Sequence, residues 1–195
     1  MSISIKPMVL LPMFYLIADY QDNDMHIDLG NGYCLRRFLY GDAISLAKHG
    51  NNAKIAKNLR DTFPHPYTIE HARAWVQHVK EHETRTRFAI DCGGEAIGEI
   101  GFVVQLDVHR FGAEIGFWVS EDHWGKGIMT EALSYVCQYA FDEMGLVRIF
   151  ADVQAGNDGS RRVLEKCGFE LEGVMKKHVY KEEQFIDQLV FALVR

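Results

Sequence analysis

Trp124-Gly125-Lys126-Gly127-Ile128-Met129-Thr130 joins an apolar run that alternates like a strand, Ala113 to Val119, to a run with helical spacing, Ile128 to Met144. A strand, a short glycine loop carrying a lysine, then a helix is an arrangement suited to holding phosphate. The two glycines let the backbone approach a ligand with no Cβ in the way. The first amides of a helix have no intrahelical partner, and the helix dipole favours negative charge at that end. The loop therefore predicts an anionic, nucleotide-like ligand.

The flanking sequence places this loop in a mixed fold. Along Ala113 to Val119, residues Ala113, Ile115, Phe117 and Val119 share one face, and Glu114, Gly116 and Trp118 the other. The helix that follows repeats Ile128, Ala132, Tyr135, Val136, Tyr139 and Ala140, and should stop near Gly145. Upstream, Arg87 to Asp91 and Ala96 to Val104 flank Cys92-Gly93-Gly94-Glu95, a hairpin signal. Before them, Tyr33 to Leu39 reads as a strand. Gly41-Asp42-Ala43 opens a helix with Asp42 as N-cap, Ala53 to Leu59 is a second short helix, and Thr68 caps a third that runs to Glu81. The prolines of Phe63-Pro64-His65-Pro66-Tyr67 make that segment a loop. Downstream, Val147 to Val153 is a buried strand, Ser160 to Cys167 a short helix, and Glu170 to Tyr180 and Phe185 to Val194 are two closing strands. The antiparallel run in the middle excludes a pure alternation of strand and helix.

Bulk properties narrow the function. The 195 residues are 48% hydrophobic and 25% charged, enough for one domain with a full core. We read residues 31–195 as that domain and 1–30 as an N-terminal extension. Within the extension, Met8 to Ala18 is apolar but too short to span a membrane. Pro12 interrupts it and no clear cleavage site follows, so a packed extension, or a start at Met25, is the simpler reading. A net charge of -6 argues against nucleic acid as a partner and fits a cationic one. Cys34, Cys92, Cys137 and Cys167 form no Cys-x-x-Cys pair, which indicates neither zinc nor a disulfide framework and fits a cytoplasmic setting.

Two motifs carry a family resemblance. The first is Glu114-Ile115-Gly116-Phe117-Trp118-Val119 followed by Trp124 to Ala132. The second is Asn157-Asp158-Gly159-Ser160-Arg161-Arg162-Val163-Leu164-Glu165-Lys166-Cys167-Gly168-Phe169. From about Tyr33 to the C-terminus the chain resembles the GNAT superfamily of N-acetyltransferases, and looks most like the branch of ribosomal-protein alanine acetyltransferases. The resemblance implies an α/β (α+β) fold with a mixed, mostly antiparallel central sheet of about seven strands flanked by helices. It implies acetyl-CoA as co-substrate, no metal, and an amine acceptor that is a small molecule or a peptide; it admits a homodimer, with no membrane partner. The pyrophosphate would sit on the amides of Gly125, Lys126, Gly127, Ile128, Met129 and Thr130, beside Trp124. Pantetheine would pair with backbone at Trp118 and Val119, and Asn157 and Ser160 would face the thiol end.

The chain departs from the superfamily pattern at Trp124 and Met129, the outer loop positions, and at Leu164, where many members carry a tyrosine that protonates the departing thiolate. Leucine cannot do this, so Ser160 or a bound water becomes the candidate acid. An alkyl amine has a pKa near ~10 and must lose a proton before it attacks. Glu114, on the strand beside the cofactor, is the candidate base, and an amide near Val119 a candidate oxyanion donor. Around Phe63 to Tyr67, where the superfamily shapes its acceptor site, Arg60, Asp61, His65 and Tyr67 are candidate contacts. Two competing readings stand beside this one. His78-Val79-Lys80-Glu81-His82 matches a zinc pattern but closes a helix with no downstream partner motif. A non-catalytic acyl-CoA-binding sensor could use the same fold.

Overall fold

The computed structural model describes residues 25–195. The Met8 to Ala18 run lies outside them. The chain order is β1 (His26–Gly30), β2 (Tyr33–Arg36), α1 (Asp42–Gly50), α2 (Ala53–Ala56), α3 (Ile69–His82), β3 (Arg87–Cys92), β4 (Glu95–Val104), β5 (Gly112–Val119), α4 (Ile128–Asp142), β6 (Arg148–Gln154), α5 (Asp158–Lys166), β7 (Glu170–Lys181) and β8 (Gln184–Val194). The strands form one sheet in the order β1-β2-β3-β4-β5-β6-β8-β7. All neighbours pair antiparallel except β5 and β6. The sheet is mixed and mostly antiparallel, with helices on both faces, as expected. It has eight strands rather than about seven, because His26–Gly30 pairs with β2 inside the stretch read as an extension.

Local chemistry explains the element boundaries. Thr68 caps α3, its hydroxyl accepting from the His71 amide. The β3–β4 hairpin turns through Gly93 and Gly94, both at positive φ, and Asp91 Oδ1 accepts from the Gly94 amide at 2.9 Å. At α1 the expectation needs correcting: Gly41 is the N-cap and Asp42 the first helical residue. The Asp42 carboxylate accepts from the Leu39 amide at 2.7 Å and receives a two-pronged contact from Arg36. That fixes the chain reversal and ends β2 at Arg36, short of Leu39. The second helix is also shorter than read, ending at Ala56.

Two apolar clusters fill the layers. One lies between the sheet and α4 and α5 and contains Phe88, Ile100, Phe102, Ile115, Leu133, Val136, Ile149 and Leu164. The other lies between the sheet and α1–α3 and contains Phe38, Leu46, Ile55, Tyr67, Val76, Val79, Ala89 and Trp118. β5 thus serves both faces, with Ile115 and Val119 in one cluster and Trp118 in the other. Among the described residues no helix is long and apolar enough to cross a membrane.

Candidate active site

The site begins where the sheet fails to close. The parallel ladder of β5 and β6 covers only Gly112↔Arg148, Ala113↔Ile149 and Glu114↔Phe150. Beyond Glu114, β5 continues on β4 as far as Val119↔Gly98, and β6 on β8 as far as Gln154↔Gln188. The strands separate and leave a cleft of about 700 Å³ between them. Gly112 C=O accepts from the Gln105 amide and the Ser120 amide donates to Ile97 C=O, both at 2.8 Å, so even-numbered backbone groups of β5 serve β4. Phe111 C=O accepts from the Val147 amide at 2.9 Å, and Val119 C=O from the Trp124 indole at 2.8 Å, so odd-numbered groups face the other way. Past Glu114 that direction is the cleft, and the backbone of Phe117 and the N–H of Val119 point into it.

The glycine loop closes one end. Gly125 and Gly127 have φ of +73° and +80°, a left-handed region that side chains rarely adopt. Gly127 is the N-cap of α4 and supplies no side-chain cap, which leaves the amides of Ile128 and Met129 for a ligand; the Thr130 amide, expected to hold phosphate, instead donates to Gly127 C=O at 3.0 Å in a tight first turn. The side chains of Ile128 and Met129 are buried in the core, so their contribution is backbone. Trp124 through Thr130, Trp118, Val119, Asn157 and Ser160 all line the cleft.

At the start of α5, Asn157 is the N-cap. Its Oδ1 accepts from the Ser160 amide at 3.2 Å and its Nδ2 donates to Ser160 Oγ at 3.0 Å. The Ser160 hydroxyl keeps its own proton to donate. Leu164 lines the cleft floor but is fully buried in the core.

The opposite wall carries charge. Glu114 pairs with Arg60, from the loop after α2, and is not among the cleft-lining residues. Asp152 of β6 does line the cleft. Asp152 is exposed to the cleft, and partial desolvation by its neighbours, then the Glu114 charge, push its carboxyl up from the ordinary aspartate range against the pull of Arg60, His178 and a hydrogen bond from Gln188. Lys181 at the end of β7 binds Leu59 C=O at 2.7 Å and Asp61 at 2.9 Å, tying that loop to the β7–β8 hairpin. Tyr67 stacks on Phe63 with ring centroids 4.5 Å apart and is buried; His65 is exposed.

Among the cleft-lining residues without a role in the sequence reading are Asp152 and His123. Asp152 is a lone carboxylate among the apolar residues of β6, a signal in itself. His123 lies one residue before the loop, and its Nδ1 meets the Tyr33 hydroxyl at 3.1 Å. Burial, then Lys126 and His49, hold its pKa below the ordinary histidine value. His78 and His82 lie on an exposed helix end beside Glu83 and Glu81 respectively, and among the described residues no group of three or more His, Cys, Asp or Glu could hold a metal ion.

Comparison with known proteins gives a consistent answer. The model of the acetyltransferase (GNAT) domain family matches residues 33–170. The N-acetyltransferase YoaA of Bacillus subtilis (strain 168) is 40% identical over 101 residues, which are 52% of this chain and 56% of that protein. The spermidine N(1)-acetyltransferase of Escherichia coli (strain K12) is 28% identical over 137 residues, 69% of this chain and 71% of that one. A structure of RimL, a ribosomal L7/L12 α-N-protein acetyltransferase in complex with coenzyme A, shares the fold, with a TM-score of 0.77 at 23% identity over 87% of this chain and 98% of that one.

Proposed function

The chain belongs to the GNAT family of N-acetyltransferases, and from that premise we propose that it moves the acetyl group of acetyl-CoA directly to a primary amine, a protein N-terminus or a small amine. The observation that carries the reading is the split between β5 and β6, which aligns an anion-binding helix start, a free strand edge and a donor hydroxyl along one cleft. Amides of Gly125 to Met129 hold the pyrophosphate, with Lys126 adding charge and Trp124 and Thr130 beside it. The pantetheine amides pair with the open edge at Phe117 to Val119, which brings the thioester toward Asn157 and Ser160. The Val119 N–H faces the carbonyl that gains negative charge as the amine attacks. The Ser160 hydroxyl, oriented by Asn157, donates toward the leaving sulfur, a role for which Leu164 has no atom.

The Asp152 carboxylate in the cleft, with the Glu114 charge behind it, fits a cationic acceptor, as does the net charge of -6. A protein N-terminus and a polyamine both meet that condition. The four cysteines are free, which fits direct transfer in a reducing, cytoplasmic compartment. The test is a thiol-release assay with acetyl-CoA against spermidine and against peptides with N-terminal alanine or serine. Saturable release with one of them is expected. Tight CoA binding by calorimetry with no release on any acceptor would favour a non-catalytic acyl-CoA sensor instead.

A further inference from the structure

We infer that Asp152, on the β6 wall of the cleft, takes the proton from the acceptor ammonium, and that Glu114 acts through it as a positioning residue. The inference rests on the acetyl transfer proposed above and names the base that this reaction needs.

Three observations place the role on Asp152. In β6, Ile149, Ala151 and Val153 are buried in the cluster under α4, which turns Asp152 to the opposite face. There it lines the cleft, five positions before Asn157 on the segment that also delivers Ser160. Continuing the β5–β6 register by two residues sets Asp152 opposite Gly116, which is exposed and has nothing within 4 Å of where a Cβ would stand. The strands have already parted at that level, so the space before the carboxylate is open to an amine.

Glu114 differs on each count. Its register partner is Phe150, inside the closed part of the ladder, it is absent from the cleft lining, and the Arg60 guanidinium holds it. With Arg60 occupying it and no face on the cleft, the Glu114 carboxylate is not presented to an amine in the opening. Asp152 faces Glu114 from β5, Arg60 from the loop after α2, His178 from β7 and Gln188 from β8; partial desolvation and Glu114 prevail, and its carboxyl rises. The two carboxylates thus divide their labour by position, Asp152 in the opening as proton acceptor and Glu114 behind it as a charge held by Arg60.

The step balances as follows. Asp152 takes a proton from the ammonium, breaking N–H and forming O–H. The freed nitrogen lone pair attacks the thioester carbonyl carbon. As C–N forms and C–S breaks, the second proton leaves nitrogen and reaches the sulfur through the Ser160 hydroxyl. The products are the amide, free CoA, and one proton that Asp152 returns to solvent.

The experiment compares Asp152→Asn with Glu114→Gln, using whichever of spermidine or an N-terminal alanine peptide the wild type acetylates. Asp152→Asn should lower kcat about 10²–10³-fold and remove the acid limb of the pH–rate profile, with CoA affinity by calorimetry unchanged. Glu114→Gln should keep the acid limb and move it to lower pH, because the negative neighbour is gone. A carboxyl-carbon NMR titration of the CoA complex, which needs no acceptor, should show Asp152 titrating above the ordinary aspartate range and falling in Glu114→Gln. An intact acid limb in Asp152→Asn, or an ordinary titration of Asp152, overturns the assignment. A wild type inactive on every acceptor instead overturns the acetyl-transfer reading itself.

Discussion

The two faces of the sheet are held by different forces. The face under α4 and α5 is packed with apolar side chains, and its cluster contains no buried charge among the described residues. The face under α1–α3 holds the buried polar residues Asp42, Ser45, Asp91, Glu99 and Ser120. Arg36 bridges Asp42 and Asp91, Ser45 accepts from the Ala96 amide, Glu99 accepts from the Trp75 indole, and Ser120 meets His49. The half of the cleft proposed for the donor is therefore positioned by packing and presents backbone. The half proposed for the acceptor is positioned by ion pairs and hydrogen bonds and presents side chains. Anion recognition by amides would tolerate varied side chains such as Trp124 and Met129, whereas recognition by paired charges would not.

Substitutions can break or sharpen this contrast. The largest effect should come from Arg36→Ala. It leaves two carboxylates, 4% and 6% exposed, without their shared cation, and should cost about 3–5 kcal/mol in urea unfolding. CoA affinity of the folded fraction should not change; a parallel loss of affinity would mean that the two faces are coupled. Next, Gly127→Glu sets an anion and a left-handed strain against the pyrophosphate and should weaken CoA binding about 100-fold in calorimetry, close to 2.7 kcal/mol. An unchanged Kd would remove the loop from the donor site.

A smaller effect is expected at the start of α5. Asn157→Ala should cost about 1 kcal/mol in thermal or urea unfolding through loss of the cap. Asn157→Asp should recover that stability but not turnover, because the bond from Nδ2 to Ser160 Oγ is gone. Equal recovery of both would reduce Asn157 to a cap.

The smallest effect belongs to Glu99. Burial, aided by Glu83, raises its carboxyl against the pull of Arg87 and Trp75. A carboxyl raised in the folded state contributes stability that is full below its unfolded pKa and is lost as pH rises through the folded one. Glu99→Gln should therefore flatten the decline in stability on the rising-pH side by about 1 kcal/mol or less, measured by urea unfolding at a series of pH values. A flat wild-type profile over that range would mean that Arg87 and Trp75 fully offset the burial.

Features that depend on neighbours a few residues away were legible without coordinates. The Thr68 cap, the Gly93-Gly94 turn and the glycine loop all follow from side chains or φ values within one turn of the residue concerned. The misreadings came from distant partners. Asp42 was taken for an N-cap because its nearest neighbours allow it, but the carboxylate answers to Arg36 and, through that arginine, to Asp91, 49 positions along the chain. Asp152 was passed over because a strand rich in Ile149, Ala151 and Val153 looks wholly buried until the opening of the neighbouring ladder is known.

The sequence by itself determined the donor side: a loop with two left-handed glycines at a helix start, and a capped helix downstream, specify an anion site through local dihedral and hydrogen-bond preferences. Only the tertiary structure decided where the sheet splits and which carboxylate meets the opening. Arg60 and Glu114 lie 54 positions apart, and Asp152 reaches the cleft only because the β5–β6 ladder ends at Glu114↔Phe150. Ladder register and burial are set by packing across the whole domain, and that energy is written in no single stretch of the chain.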